Sequence, residues 1–350
     1  MPGMERRTFL KYAGLAVAAA GATIAGLLSL GLGGQTLIPR ARTNELTIYS
    51  GRGEFLIAPL LERLENESGL TFRTRYGDTA ELAATILEEG QNSPADLFFA
   101  QDAGALGALA REGRLLQIPE DLMAKVGPSF RSPQGDWIGI TGRARTVDYN
   151  TRLVSESDLP DSIWGFTDPK WGNGKIGWAP TNGSFQAFIT AFRVLEGDDR
   201  AKEWLEGVIA NDPQEYPKNS PIVEALGRGE IQVGFVNNYY LHRFQAVDPT
   251  FPVSHHYTSG DAGSMINVAG VGILDTARDP NLAASFIELL LEDDSQRYFA
   301  NETFEYPLVD GIRISGPQKP LAEIEVPDID LSDLDDLEGT LKLLQDVGVL

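Results

Sequence analysis

The chain has 350 residues, 42% hydrophobic and 23% charged, which is long enough for two lobes with a core each. It has no cysteine, which excludes a disulfide framework, a zinc–thiolate site, an iron–sulfur cluster, a cysteine nucleophile and the lipidated cysteine that anchors many bacterial surface proteins. The formal charge is −21, and Arg6, Arg7, Lys11, Arg40 and Arg42 crowd the start, so the body is strongly acidic. Such a surface repels phosphate backbones and argues against a nucleic-acid partner; it suits a carrier of cations and equally serves plain solubility.

Arg6-Arg7-Thr8-Phe9-Leu10-Lys11 precedes an uncharged stretch from 12 to 39 rich in Ala, Gly and Leu. This resembles a twin-arginine export signal, with Glu5 where Ser or Thr is commoner, and it implies that the protein works outside the cytoplasm, in the periplasm or at the cell surface. Residues 1–42 are therefore set aside as signal or N-terminal membrane anchor plus linker. Two readings stay open. The run ends in Gln35-Thr36-Leu37-Ile38-Pro39-Arg40, which lacks the small residues of a cleavage site, and it exceeds the roughly 20 residues that span a bilayer.

From residue 46 short strands alternate with amphipathic helices. Residues 46–49 read as a strand. Residues 54–67 carry Leu56, Ile57, Leu60, Leu61 and Leu64 at helical spacing. A strand at 70–76, a helix at 79–89 and a strand at 95–100 complete a pattern that requires parallel pairing, hence an α/β sheet. A second block holds a strand at 176–178, helices at 184–195, 202–209 and 222–226, a strand at 232–236 and a helix from about Asn238. A Gly- and Val-rich strand at 267–274 and a helix at 283–291 follow. No internal repeat is visible. In the acidic end, Asp328, Asp330, Ser332 and Asp333 suggest a calcium loop, but the sixth and twelfth positions are Asp333 and Gly339 where Gly and Glu are required. The expectation is a capped surface helix with Leu334, Leu337, Leu341 and Leu344 facing the body.

Several strings resemble one family, in order and spacing. Ile48-Tyr49-Ser50-Gly51-Arg52 resembles the first strand and ligand loop of periplasmic ferric-iron-binding proteins, the substrate-binding components of iron ABC importers. Asn92-Ser93-Pro94-Ala95-Asp96-Leu97-Phe98 resembles their third strand, and Gly142-Arg143-Ala144-Arg145-Thr146-Val147 their first crossover strand. Pro180-Thr181-Asn182-Gly183-Ser184-Phe185, Lys218-Asn219-Ser220, Val236-Asn237-Asn238-Tyr239-Tyr240 and Glu305-Tyr306-Pro307-Leu308 match the remainder. The resemblance covers about 46–309. It implies a type-2 periplasmic binding fold: two α/β lobes, 45–145 plus 270–315 and 146–269, joined by hinge strands near 145–148 and 267–271, with an interlobe ligand cleft. Residues 316–350 are expected to pack on this body. The implied partners are an ABC permease and its ATPase, and the implied state is a monomer.

The candidate metal ligands are Tyr239 and Tyr240. Fe³⁺ is hard and prefers oxygen donors. A phenol titrates near 10, but a bound trivalent cation stabilises the phenolate. The plain alternative is that the two rings pack in the core. Where the family supplies a His and a Glu, this chain has Gly53 and Gln101, so Gln101 and the adjacent Asp102 are weaker candidates. An exogenous anion, carbonate or phosphate, or a small chelate is expected to complete the shell. Asn182, Gly183 and Ser184 open a helix whose free N–H groups suit it, and Asn219, Asn237, Arg52 and Arg143 match or adjoin anion positions; Ser50 and Gly51 form the ligand loop. Asn182 is equally a simple helix cap, and Arg143 equally pairs with an acid in the hinge. His242, two positions past Tyr240, points elsewhere on a helix, and His255-His256 lack metal spacing. The other reading within the fold is an oxyanion, phosphonate, thiamine or polyamine ligand. Catalysis is not expected: there is no Ser-His-Asp order, no catalytic carboxylate pair and no cofactor fingerprint.

Overall fold

The computed structural model describes residues 44–312, 314 and 318–350; the twin-arginine segment lies outside the described residues. In chain order the elements are β1 Glu45–Ser50, α1 Glu54–Ser68, β2 Thr71–Tyr76, α2 Thr79–Glu89, β3 Leu97–Ala100, α3 Ala103–Arg111, β4 Leu115–Leu116, α4 Glu120–Met123 and β5 Trp137–Asn150. Then come β6 Ile176–Trp178, α5 Gly183–Glu196, α6 Asp198–Ile209, β7 Gln214–Glu215, α7 Asn219–Arg228, β8 Val233–Asn237, α8 Tyr239–Val247, β9 Val253–His256 and β10 Ile266–Leu274. The chain ends with α9 Pro280–Leu291, α10 Asp293–Tyr298, β11 Tyr306–Pro307 and α11 Leu337–Asp346.

The strands run in the order β2-β1-β3-β10-β5-β8-β6-β7. β1 pairs in parallel with β2 and β3, as the strand–helix alternation requires. The two sheet halves meet in β5. Its first part pairs with β10, Trp137 against Gly272 through Ala144 against Ile266. Its second part pairs with β8, Arg145 against Asn237 through Tyr149 against Val233, and with β9. The changeover falls at Ala144, whose N–H donates to Asn238 Oδ1 at 2.9 Å and whose carbonyl accepts from Asn238 N at 3.0 Å. The β5–β10 register shifts opposite Ala269 and Gly270, which pair with Thr141 and Gly139 and leave Ile140 of β5 as the extra residue, beside the stretch expected to flex. All fourteen residues of β5 are buried, because elements cover both of its faces.

The first half buries Ile48, Phe98 and Phe99 of the sheet against Ile57, Leu60 and Leu64 of α1. The core of the second half is aromatic: Trp204 meets Phe188 edge to face at 5.3 Å and Phe235 at 5.4 Å. The helices begin where their caps say. Asp78 accepts from Ala80 N and Glu81 N and starts α2; Gly69, at φ 70°, ends α1 in the left-handed conformation that glycine adopts most readily.

The C-terminal helix departs from the expected pattern. Leu334 is buried but belongs to a tight turn over Leu331–Asp335, and α11 starts only at Leu337 because Asp336 Oδ1 caps Gly339 N at 2.9 Å. The break resets the helical phase. Thr340, Leu343 and Leu344 are buried, Leu341 is half-buried, and Leu337, 37% exposed, lines the cavity described next.

Candidate functional site

A cavity of about 410 Å³ lies on the seam between the sheet halves. Arg143 and Arg145, two apart on β5 and therefore on one face of the strand, both line it. Its walls include the first turns of α2, α5 and α8, together with Gly51 after β1 and Gln101-Asp102 before α3. Helix starts present free N–H groups and a partial positive charge. Two guanidiniums and several helix starts give this hollow sites for an anion, with Asp78 and Asp102 also on its wall.

Tyr239 and Tyr240 both line the cavity, and they also pack against the core: Tyr239 is 9% exposed and Tyr240 rests on the apolar cluster around Ile222 and Leu226. Their rings stack at 4.2 Å and 30°. Burial pushes the Tyr239 phenol far above its usual range, Tyr240 adds to this, and Arg143 works against it. The free site therefore holds a neutral phenol there, which a multivalent cation would deprotonate on binding.

Arg145 is the residue the sequence placed only in the hinge. It is 3% exposed, stacks over Phe188 at 5.0 Å and Phe185 at 5.6 Å, and reaches only Asn237 Oδ1, at 3.5 Å. Its Nε and Nη2 have no hydrogen-bond partner. Burial pushes its pKa down to about 9, against the pull of Asp148, so it stays charged at neutral pH. A buried cation with two free donors on a cavity wall is built for an anion. Arg143 donates Nη2 to the Gln101 carbonyl, and its Nε lies 3.8 Å from Glu305 Oε1 without a hydrogen-bond partner. Of the two readings of Arg143, the pairing with an acid is present, through Glu305.

The remaining candidates sort by depth. Asn182 Oδ1 caps α5 through Ser184 N at 3.1 Å and also accepts from Ser184 Oγ and from Asn219 Nδ2. Asn182, Gly183 and Ser184 form a wall, while Asn219, 1% exposed, stands behind it and fixes it. Asn237 faces the cavity. Asp102 lines it too, and caps α3 through Ala105 N at 3.1 Å; burial raises its carboxyl pKa despite that bond and Arg143. Gln101 lines the wall with its Oε1 held by Arg52 Nη1 at 2.7 Å.

Arg52 and Ser50 do not line the cavity. Arg52 is turned inward onto Glu305, Nη1 to Oε1 at 2.9 Å and Nη2 to Oε2 at 2.5 Å, and Ser50 Oγ accepts from Arg52 N. A bidentate carboxylate satisfies a guanidinium better than an open cavity does. Gly51 lines the wall, and a Cβ there would overlap the Thr79 hydroxyl. Thr79 and Gln186 line the cavity without having stood out in sequence.

The histidines stay clear of the cavity. His255 Nδ1 contacts Asp148 Oδ1 at 2.6 Å and its Nε2 contacts His242 Nε2 at 3.2 Å, while His256 meets the Pro160 carbonyl. With His255 Nδ1–H donating to the carboxylate, its Nε2 accepts from His242. Burial and His255 push the His242 pKa down to about 3. An unfolded histidine titrates near 6.5. Between these values the unfolded chain binds a proton that the folded one refuses, so stability falls as pH drops from 6.5 toward 3. We predict that His242→Gln removes about 2 kcal/mol of the stability lost between pH 6.5 and 4.5; urea midpoints of both proteins across that range check it.

An α/β sheet that changes partners at its centre, with a polar cavity on the seam, is the architecture of a solute-binding protein. The chain belongs to the bacterial extracellular solute-binding proteins, whose family model matches residues 60–317, and among these to the periplasmic ferric-iron-binding family. It is 29% identical to the major ferric iron-binding protein of Neisseria meningitidis over 87% of this chain and 93% of that one. Among solved structures it is similar to iron-bound HitA from Pseudomonas aeruginosa, at TM-score 0.78 and 31% identity over 87% of this chain and 99% of that one. It is also similar to the Trichodesmium protein IdiA (FutA) in complex with iron and citrate, at TM-score 0.77 and 27% identity over 87% and 100%.

Proposed function

We propose that this chain captures ferric iron together with an anion and delivers it, chemically unchanged, to an ABC permease and its ATPase on the outer side of a membrane. The observation that carries the reading is the stacked Tyr239–Tyr240 pair facing a cavity that also holds two buried arginines with free donors. Two phenolates leave most of an octahedral oxygen shell open. Asp102 and Gln101 are the nearby protein oxygens, and an anion bridging the metal to Arg145, Arg143 and the α5 start supplies the rest. The volume favours a carboxylate chelate the size of citrate over a bare ion, since one water takes only about 30 Å³. Carbonate or phosphate fills the same donors less completely.

In this reading the lobes are 45–145 plus 270–315 and 146–269, and they close about β5 and β10 near 145–148 and 267–271. The partner change at Ala144 and the register shift opposite Ala269 and Gly270 support that hinge. Export follows the twin-arginine route, with 1–42 as signal or anchor, and the carrier acts as a monomer. The test is direct. Ferric citrate added to metal-free protein should give the red phenolate-to-iron absorption; a colourless protein, with carbonate and phosphate also present, ends the iron reading.

Arg145 provides a second check. Arg145→Met should weaken ferric citrate binding about 10- to 100-fold, the loss of a charged hydrogen-bond donor. It should also raise the melting temperature of the ligand-free protein, because it removes a desolvated charge. Titration calorimetry and thermal unfolding of the same samples give both signs.

A further inference from the structure

We infer that residues 331–346 form a clasp, a third crossing of the chain between the two sheet halves that holds the cavity closed and releases from α5 when the protein opens. This segment lies beyond the residues matched by the family model. Its first part is keyed into α3, which packs on β3 and β10 of the first half. A Cβ at Gly104 would overlap the Leu334 carbonyl and one at Gly107 the Ser332 carbonyl, so the two backbones touch only because both positions are glycine. Trp137 Nε1, on the first part of β5, donates to Ser332 Oγ at 3.1 Å, and Arg111 of α3 pairs with Asp335.

The chain then breaks at Asp335-Asp336 and crosses to α5, which packs on β8 and α6 of the second half. Contact there is made by side chains. Arg193 meets Asp336 Oδ2 at 2.8 Å and donates to Thr340 Oγ1 at 3.0 Å, and Thr340 Oγ1 meets Thr190 Oγ1 at 2.8 Å in a buried pair. Leu334 and Leu337, on either side of the break, line the cavity itself.

The mechanics follow from this placement. β5 and β10 are neighbours across the changeover, so alone they leave the halves free to rotate about one line. A third connection on the cavity wall, tied to both halves through a two-residue link, does not follow that rotation without losing one set of contacts. Contacts made to both halves at once exist only in the closed arrangement and so favour it. The glycine-keyed backbone and the Trp137 bond hold the α3 side. The α5 side, with its exposed Asp336 and its threonine pair, is the side that parts.

The chain has no cysteine, so an introduced pair reports only on itself. In full-length Thr190→Cys/Thr340→Cys protein, oxidation should join α11 to α5. The oxidised protein should release ferric citrate at least about tenfold more slowly than its own reduced form, and its ligand-free radius of gyration should be the smaller of the two. Arg193→Gln should speed release about three- to tenfold. Equal release rates and equal radii in the oxidised and reduced forms would overturn the clasp, as would a cysteine pair that does not close. The release measurement rests on the ferric reading, whereas the scattering comparison does not. A wild-type protein that stays colourless ends the ferric reading and leaves the radii to decide the clasp.

Discussion

Tyr240→Phe lowers the affinity for ferric citrate by about 10³-fold or more and removes most of the red absorption, while unfolding stability changes by less than about 1 kcal/mol. The substitution deletes one oxygen and leaves the ring that stacks on Tyr239 at 4.2 Å. What is lost is an anionic ligand of a trivalent ion beside partly buried side chains. Breaking a buried charge pair costs about 3–5 kcal/mol, and that sets the scale. Tyr239→Phe should act in the same direction, and the double variant should be colourless. The pH dependence has a fixed sign. The Tyr239 phenol is held neutral by burial in the free protein, and loading must expel its proton. Affinity therefore falls on acidification, by up to about tenfold per pH unit for each proton expelled. Competition titrations at pH 7, 6 and 5 against a chelator of known protonation measure the slope. A pH-independent affinity would mean that neither phenol ionises and that the colour has another source.

Sequence pattern located elements better than their ends. The run Leu56, Ile57, Leu60, Leu61, Leu64 marked α1, and 79–89 matched α2, because a leucine face and an Asp cap leave little choice. α6 begins at Asp198, four residues before the expected 202, since its first turn is polar and has no apolar spacing to read, while Asp198 and Asp199 suit the positive end of a helix. Only 142–147 of β5 stood out, through its likeness to a crossover strand; buried on both faces, the full Trp137–Asn150 strand has no alternation to read. Tyr239, Tyr240, Asn182, Gly183, Ser184, Asn237, Arg143 and Gly51, all from the family-like strings, line the cavity, and so do Gln101 and Asp102, where the chain departs from the family pattern. A string marks a segment, however, and not which side of it faces the ligand. Arg52, Ser50 and Asn219 belong to the right segments and turn behind the wall. Arg145 was legible in principle, since a second arginine two residues along a strand shares the face of the first.

Glu305→Ala should cost about 3–5 kcal/mol and lower the melting temperature by about 5–10 °C, the largest loss of stability expected from a single side chain in this protein. Nothing in the string Glu305-Tyr306-Pro307-Leu308 announces this, because the partner, Arg52, lies 253 residues away. Both groups are almost fully buried, Thr303 Oγ1 gives the carboxylate another bond at 2.9 Å, and Arg143 sits 3.8 Å off. Removing the acid leaves a guanidinium in the interior with no counter-charge. Removing both members should be milder: Arg52→Met with Glu305→Leu fills similar volume and no longer strands Arg52, so it should recover part of the lost stability, the rest being the cost of Arg143 without its acid. Ligand affinity should not recover with it. Arg52 Nη1 also holds Gln101 on the cavity wall, and Glu305 draws Arg143 to its place there, so the repacked protein loses both constraints. Thermal unfolding and ferric citrate titration of the single and double variants separate the two effects. Restored stability with affinity still lowered would mark Glu305 as a residue that positions the site. Affinity that returned together with stability would reduce it to a part of the core.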